Sequence, residues 1–345
     1  MSESASTASL PAESRVLPWH GAQRGQLLKL LAAGRLPHAV LLEGATGSGR
    51  NLFAEAFARE LLCMTPTAAG NCGTCKACTL TAAGSHADLF RLEPTEPGRA
   101  IGIDSIRKAI EFCAETASLG TRKVLLVSPL ENMTRASFNA FLKCLEEPAA
   151  GTFMLLVAAR GRPLPATIRS RCQRWVLPSP TPEEGLAWLE ERMEGGALED
   201  LAGSATTGAK SKHASREALE QVLRLSGEGP VEALGLLQSD ELPALLALDT
   251  LCSNPDQAAA AGSLAVETAA AEIDPDRLLD YLEQAVVHGL RQRGADELRS
   301  AQGLSLFKAL DELRRLRAAR QAGSNPNPDL LRFHALQASR GLWAA

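Results

Sequence analysis

Two apolar patterns divide the chain. Up to about Leu177, short apolar runs alternate with stretches of helical period. Ala39–Leu42, Lys123–Val127 and Phe153–Ala159 are short and largely apolar, as strands buried on both faces are. Between them lie predicted helices over Gln23–Ala33, Leu52–Leu62, Ile103–Thr116 and Thr134–Glu147, the last stopped by Pro148. Strands alternating with helices predict a parallel sheet covered on both faces. Beyond Pro178, Pro180 and Pro182 only helical patterns follow: Pro182–Met193, Arg216–Leu225, Pro230–Leu237, Leu242–Cys252, Gln257–Ala271, Pro275–Arg293, Gly303–Arg320 and Asp329–Ser339.

The expected organisation is a disordered N-terminus over 1–15 and an α/β domain over 16–178. A small helical domain follows over 179–240, with a flexible Gly-, Ala- and Ser-rich insertion at 195–215, and then an all-helical domain over 241–345. Apolar positions on Pro275–Arg293, namely Leu278, Leu279, Tyr281, Leu282, Val286, Val287 and Leu290, call for packing partners.

Composition narrows the function classes. The longest strictly apolar run, Phe153–Ala159, falls far short of the ~20 residues of a membrane-spanning helix. The N-terminus lacks the basic and apolar regions of a signal peptide, so a cytoplasmic location is expected. A net charge of −4 and 4% aromatics argue against a protein that lives by wrapping phosphate backbone or stacking bases.

Four of the eight cysteines cluster as Cys63-x8-Cys72-x2-Cys75-x2-Cys78, in a long chain without a secretory leader. Four thiolates so spaced suit a closed, structural zinc site. An iron–sulfur cluster is the rival, but its spacing wants a further cysteine that does not follow. His86 stands near enough to replace one cysteine, though a single neighbouring histidine is more often a surface or capping residue.

Between the first strand and the next helix lies Gly44-Ala45-Thr46-Gly47-Ser48-Gly49-Arg50-Asn51, the outline of a phosphate-binding loop. Gly44, Gly47 and Gly49 keep the outline. Arg50 stands where lysine reaches the β- and γ-phosphates, and Asn51 where a hydroxyl holds Mg²⁺. The strand Lys123–Val127 should end in carboxylates for metal and water, yet Ser128 and Pro129 follow. Glu131 comes two residues too late and is expected to point elsewhere. These losses predict a degenerate loop in which ATP is not bound or not hydrolysed. Ser170-Arg171-Cys172, in contrast, offers an arginine of the kind that can reach a neighbouring subunit's γ-phosphate.

Several segments together carry a family likeness: Leu36-Pro37-His38-Ala39 before the loop, the four-cysteine insertion, Ser85-His86-Ala87-Asp88, Ile103-Asp104-Ser105-Ile106-Arg107, Asn139 to Pro148, and Ser170-Arg171-Cys172. With them the chain resembles the clamp-loader branch of the AAA+ ATPases. The resemblance implies an α/β P-loop AAA+ domain with an inserted zinc module, a helical lid domain and an all-α collar domain. It implies a catalytically inactive member of a DNA polymerase holoenzyme, with Arg171 acting in trans. The implied partners are motor subunits of the gamma/tau type and a delta subunit in a five-membered ring, with the sliding clamp and primed DNA reached through that complex. Motor subunits carry an arginine in the lid helix that touches nucleotide, where this chain has Val231. An active motor of the same family and a zinc-dependent nucleic-acid binder are the alternatives.

Overall fold

The computed structural model describes residues 16–95, 99–194, 216–253, 263–321 and 327–342. The expected disorder at 1–15, the insertion at 195–215 and the start of the helix expected from Gln257 lie outside the described residues. Contacts divide the chain into two units. The first takes the described residues within Met1–Thr95, Ile101–Glu220 and Gly229–Val231. The second takes those within Glu96–Ala100, Gln221–Glu228 and Glu232–Ala345. No helix among the described residues is long and apolar enough to cross a membrane.

The first unit is built on five parallel strands: β1 (Ala39–Gly44), β2 (Leu89–Leu92), β3 (Lys123–Val127), β4 (Thr152–Ala159) and β5 (Gln173–Val176). Their order is β2-β3-β4-β1-β5, with Leu41 opposite Leu156 and Leu125 opposite Met154. The helices of this unit are α1 (Gly21–Ala32), α2 (Arg50–Leu62), α3 (Lys76–Ala82), α4 (Ile103–Ala114), α5 (Arg135–Glu146), α6 (Ala166–Arg169) and α7 (Pro182–Glu194); α8 (Arg216–Leu225) and α9 (Pro230–Gln238) each begin in the first unit and continue in the second.

The strand runs are continuously apolar because alternate side chains enter two separate cores. Leu41, Leu125, Val127, Met154 and Leu156 pack on the side of α4 and α5, with Ile106, Phe138 and Phe141. Val40, Leu42, Val124, Leu126, Leu155 and Val157 pack on the side of α1 and α2, with Leu27, Phe53 and Phe57. Thr134 caps α5 by accepting the Ser137 N–H at 3.1 Å, so the predicted helix begins one residue later.

The predicted sheet lacked two of these strands. In β2, Arg91 interrupts the apolar run of four residues. In β5, Gln173, Arg174 and Val176 are exposed at the sheet edge, where polar residues guard an unpaired strand. Helix α3 was also missed, because its seven residues are few and the first three belong to the cysteine spacing.

The second unit holds α10 (Leu242–Ser253), α11 (Ser263–Ala271), α12 (Pro275–Arg291), α13 (Ala295–Leu298), α14 (Ala301–Gln321) and α15 (Pro328–Ala338). Asp274 caps α12 through the Asp276 and Arg277 N–H groups. Helix α12 packs against α14 and α15. Leu278, Leu279, Tyr281, Leu282 and Val286 are buried, as are Leu306, Leu310 and Leu313 on α14 and Leu331 and Ala335 on α15. The apolar positions of α12 thus find most of their partners within the unit, with Val287 and Leu290 half-buried. Ion pairs Arg314–Glu283 (3.3 Å), Arg317–Glu283 (3.0 Å) and Arg320–Asp276 (2.5 Å) flank the same packing.

Candidate functional site

The glycine loop leaves β1 at Gly44 and enters α2 at Arg50, the strand-to-helix position at which a phosphate site would be built. Gly47 and Gly49 take φ of 73° and 86°, a left-handed backbone that other residues seldom adopt. The loop has the glycine geometry of a phosphate cradle, and its carbonyls are bonded within its own chain. The Arg50 Nη1 donates to the Ala45 carbonyl at 2.9 Å, and the Ser48 hydroxyl donates to the same oxygen at 2.8 Å. The Trp19 indole N–H donates to the Ser48 carbonyl at 2.9 Å. The Val231 N–H donates to the Gly47 carbonyl at 3.0 Å.

Packing closes what hydrogen bonding leaves. A Cβ at position 49 would lie 2.1 Å from Leu17 Cδ1, and one at Gly229 would lie 2.7 Å from the Gly47 Cα. Leu17, Trp19, Gly229 and Val231 therefore line the loop. Sequence reasoning placed Val231 there. It missed Leu17 and Trp19, which carry no motif of their own and act only through proximity in the fold.

The expected metal position is also changed. Asn51 and Ser128, the two residues that replace a hydroxyl and a carboxylate, meet each other. The Ser128 hydroxyl donates to the Asn51 Oδ1 at 3.0 Å. No carboxylate enters this contact, so it lacks the anionic oxygens that hold Mg²⁺. Glu131 turns to the end of β4, where its Oε1 accepts the Ala159 N–H at 3.1 Å. It is thus used as a strand-end cap.

Arg171 lies in the turn after α6, and its side chain is 35% exposed. Its Nε and Nη2 both reach Glu146 Oε1, at 2.7 and 2.5 Å, and its Nη1 donates to the Thr167 carbonyl at 3.1 Å. Glu146 is the last residue of α5. Sequence reasoning quoted Glu146 in a family segment but gave it no role.

Cys63, at the end of α2, joins Cys72, Cys75 and Cys78, with all four Sγ atoms within 4.8 Å of one another. Sγ separations are 3.9 Å for Cys63–Cys75, 3.9 Å for Cys72–Cys78 and 3.7 Å for Cys63–Cys78. Four ligands at ~2.3 Å from one tetrahedral ion stand about 3.8 Å apart, so the cluster fits a single metal ion. A disulfide would bring two sulfurs to ~2.05 Å. A multi-iron cluster would need its thiolates spread over several metal atoms.

Donors surround the sulfurs as a thiolate shell requires. The Cys72 N–H points to Cys63 Sγ at 3.3 Å, the Cys75 N–H to Cys72 Sγ at 3.3 Å, and Asn71 Nδ2 to Cys78 Sγ at 3.2 Å. Hydrogen bonds from Thr65 and from the backbone of Thr74 and Cys75 draw the Cys72 thiol down to about 5, while burial pushes Cys63 up to about 12. His86 is not part of the cluster. It is buried, not on the surface, and its Nδ1 accepts the Asp88 N–H at 3.0 Å.

Comparison with known proteins shows what the chain is similar to. A family model described as "DNA polymerase III, delta subunit" matches residues 20–181. The DNA polymerase III subunit delta' of Pseudomonas aeruginosa is 41% identical over 220 residues, 63% of this chain and 60% of that protein. The subunit delta' of Escherichia coli is 34% identical over 238 residues, 69% of this chain and 65% of that protein. Over this shared stretch the chain is a homologue of the DNA polymerase III delta-prime subunits. It spans less than two thirds of the length of either relative. The subunit tau of Escherichia coli is also similar, at 27% identity over 260 residues, 75% of this chain and 38% of that protein. The stretch matched by the family model takes in the delta-prime homologue's glycine loop, its cysteine cluster and Arg171.

Proposed function

We propose that this delta-prime homologue is a non-hydrolysing subunit of a DNA polymerase III clamp loader, completing a neighbouring subunit's ATPase site with Arg171. The observation that carries this reading is a contrast within the first unit. The glycine loop is lined by Leu17 and its carbonyls are taken by Trp19, Arg50 and Val231, whereas the Arg171 cation is exposed. A guanidinium at an open edge suits a phosphate that belongs to another chain.

In this reading the loop neither holds nor splits ATP. The Asn51–Ser128 hydrogen bond replaces the metal position, and no residue of the loop's surroundings acts as base. Residues 16–178 serve as the nucleotide-type domain, 179–240 as the lid and 241–345 as the collar. The partners are gamma/tau-type motor subunits and a delta subunit in a pentameric ring in the cytoplasm, with clamp and primed DNA engaged through the assembly. The polymerase activity of such an assembly lies in other chains. The metal is Zn²⁺, held by Cys63, Cys72, Cys75 and Cys78. A closed shell of four thiolates gives it a structural role, fixing the loop between α2 and α3.

Two measurements test the proposal. In a ring reconstituted with its motor subunits, Arg171→Ala is expected to assemble normally and to lower ATP turnover. Unchanged turnover would refute the trans role, and brisk Mg²⁺-dependent turnover by the isolated chain would favour a motor. For the metal, one zinc per chain is expected by elemental analysis, and Cys75→Ser is expected to lose it and to destabilise the first unit by roughly 4 kcal/mol. A metal-free wild-type chain, or iron in place of zinc, would overturn the assignment.

A further inference from the structure

We propose that Glu146 is the positioning residue of Arg171, fixing its guanidinium for the incoming phosphate of the adjoining subunit. The inference rests on the trans role of Arg171 proposed above. It comes from the way Arg171 is held. Two of its nitrogens, Nε and Nη2, converge on one carboxylate oxygen of Glu146, while Nη1 reaches the Thr167 carbonyl at 3.1 Å and the Ser170 hydroxyl at 3.4 Å. Two elements 25 residues apart therefore grip the same cation.

The grip contributes little to folding. Glu146 and Arg171 side chains are 49% and 35% exposed, and ion pairs so open to water stabilise a fold only slightly. Buried Arg59, 1% exposed and bonded to Glu55 on its own helix, shows what a structural arginine looks like in this chain. What the Glu146 contact does supply is orientation. An arginine side chain is flexible along its stem, and its fork has direction only once the plane is fixed. Of five guanidinium N–H donors, three hydrogen bonds and the Nη2–Glu146 ion pair engage four, which leaves the second N–H of Nη2 for a phosphate oxygen. Because that N–H is not used by Glu146, a phosphate oxygen can join the guanidinium without taking the carboxylate's place. Catalysis then gains because the cation is already oriented when charge develops in the transition state.

The experiment uses the reconstituted ring and reads kcat and KM for ATP separately. Glu146→Ala is expected to lower kcat about tenfold, as a mis-aimed group does, with KM unchanged. Glu146→Gln keeps an acceptor oxygen in place and is expected to recover most of the loss. The double variant Arg171→Ala/Glu146→Ala is expected to be no slower than Arg171→Ala alone, since Glu146 acts through Arg171. If Arg171→Ala slows the ring while Glu146→Ala does not, or speeds it, the positioning role falls and the trans role stands. If Arg171→Ala has no effect, both fall. Should Glu146→Ala not assemble, Glu146→Asp decides: its shortened reach lowers kcat if the inference holds, and wild-type kcat overturns it.

Discussion

The glycine loop and the Ser170–Cys172 turn each present an arginine, and the two have opposite fates. Arg50 folds back, and its Nη1 gives a hydrogen bond to Ala45, five residues before it in the same loop. Arg171 stands in a turn, tied to Glu146 but still 35% exposed. A cation that satisfies its own loop's carbonyl has become part of the packing. A cation on the edge, held in a fixed plane, remains available to another molecule. On the function proposed above, the difference teaches that loss of a nucleotide site need not mean loss of the machinery around it: one arginine serves the loop's own structure, the other keeps its reach.

The largest expected effect separates the two arginines directly. Arg171→Ala should lower turnover at the neighbouring ATPase site by roughly a thousandfold, with no change in this chain's unfolding midpoint. Arg50→Ala should do the reverse, costing about 1 kcal/mol of stability through the lost hydrogen bond and leaving ring turnover near wild type. ATPase assays on reconstituted rings and urea unfolding of the chain read the two arms. Equal effects of the two substitutions on turnover would break the comparison, since Arg50 would then be serving chemistry.

A second prediction concerns how tightly the chain packs on the loop. Gly229 has no room for a side chain, because a Cβ there would sit 2.7 Å from Gly47 Cα and 2.9 Å from the Thr46 carbonyl oxygen, both backbone atoms. Backbone cannot swing aside as a side-chain tip can. Gly229→Ala should therefore destabilise the chain by about 2 kcal/mol, as overpacking does. Calorimetry of the purified chain checks it. A neutral substitution would mean that the segment before α9 moves off the loop at little cost, leaving room for a ligand.

Much of this contrast was legible in the sequence. The degenerate positions Arg50, Asn51, Ser128 and Pro129 are adjacent to recognisable strands, so their meaning follows from local pattern. The cysteine spacing likewise announced a cluster, and the four sulfurs do converge. What lines the loop was harder to foresee. Trp19 lies 29 residues from Ser48, and Gly229 lies far beyond the sheet in sequence, so only the fold makes them neighbours. Edge strand β5 escaped for another physical reason. Half in water, it has no continuous apolar run to betray it. The partners of α12 could not be read from its sequence, because an amphipathic stripe specifies burial without saying against what. Helices α14 and α15 cover it.

The smallest expected effect concerns His20, which lies just after Leu17 and Trp19 in the segment that lines the loop. His20 is fully buried, edge-on to Phe53, with its Nε2 3.2 Å from the Pro178 carbonyl. Burial lowers its pKa from 6.5 to about 4, partly opposed by the Pro178 hydrogen bond. Its Nδ1 is buried without a hydrogen-bond partner, so a proton there would have no acceptor. The folded chain therefore keeps His20 neutral while the unfolded chain protonates it near pH 6.5. As pH falls from 6.5 towards 4, the unfolded state binds the proton first and stability declines. Below about 4 both states are protonated and the loss levels off. Between pH 7 and pH 5.5 the contribution should be about 1 kcal/mol. Urea titrations at the two pH values should show that decline in the wild-type chain and a smaller one in His20→Gln, whose amide can still donate to Pro178. An equal decline in both would place the pH sensitivity elsewhere and leave the lining of the loop indifferent to the charge on His20.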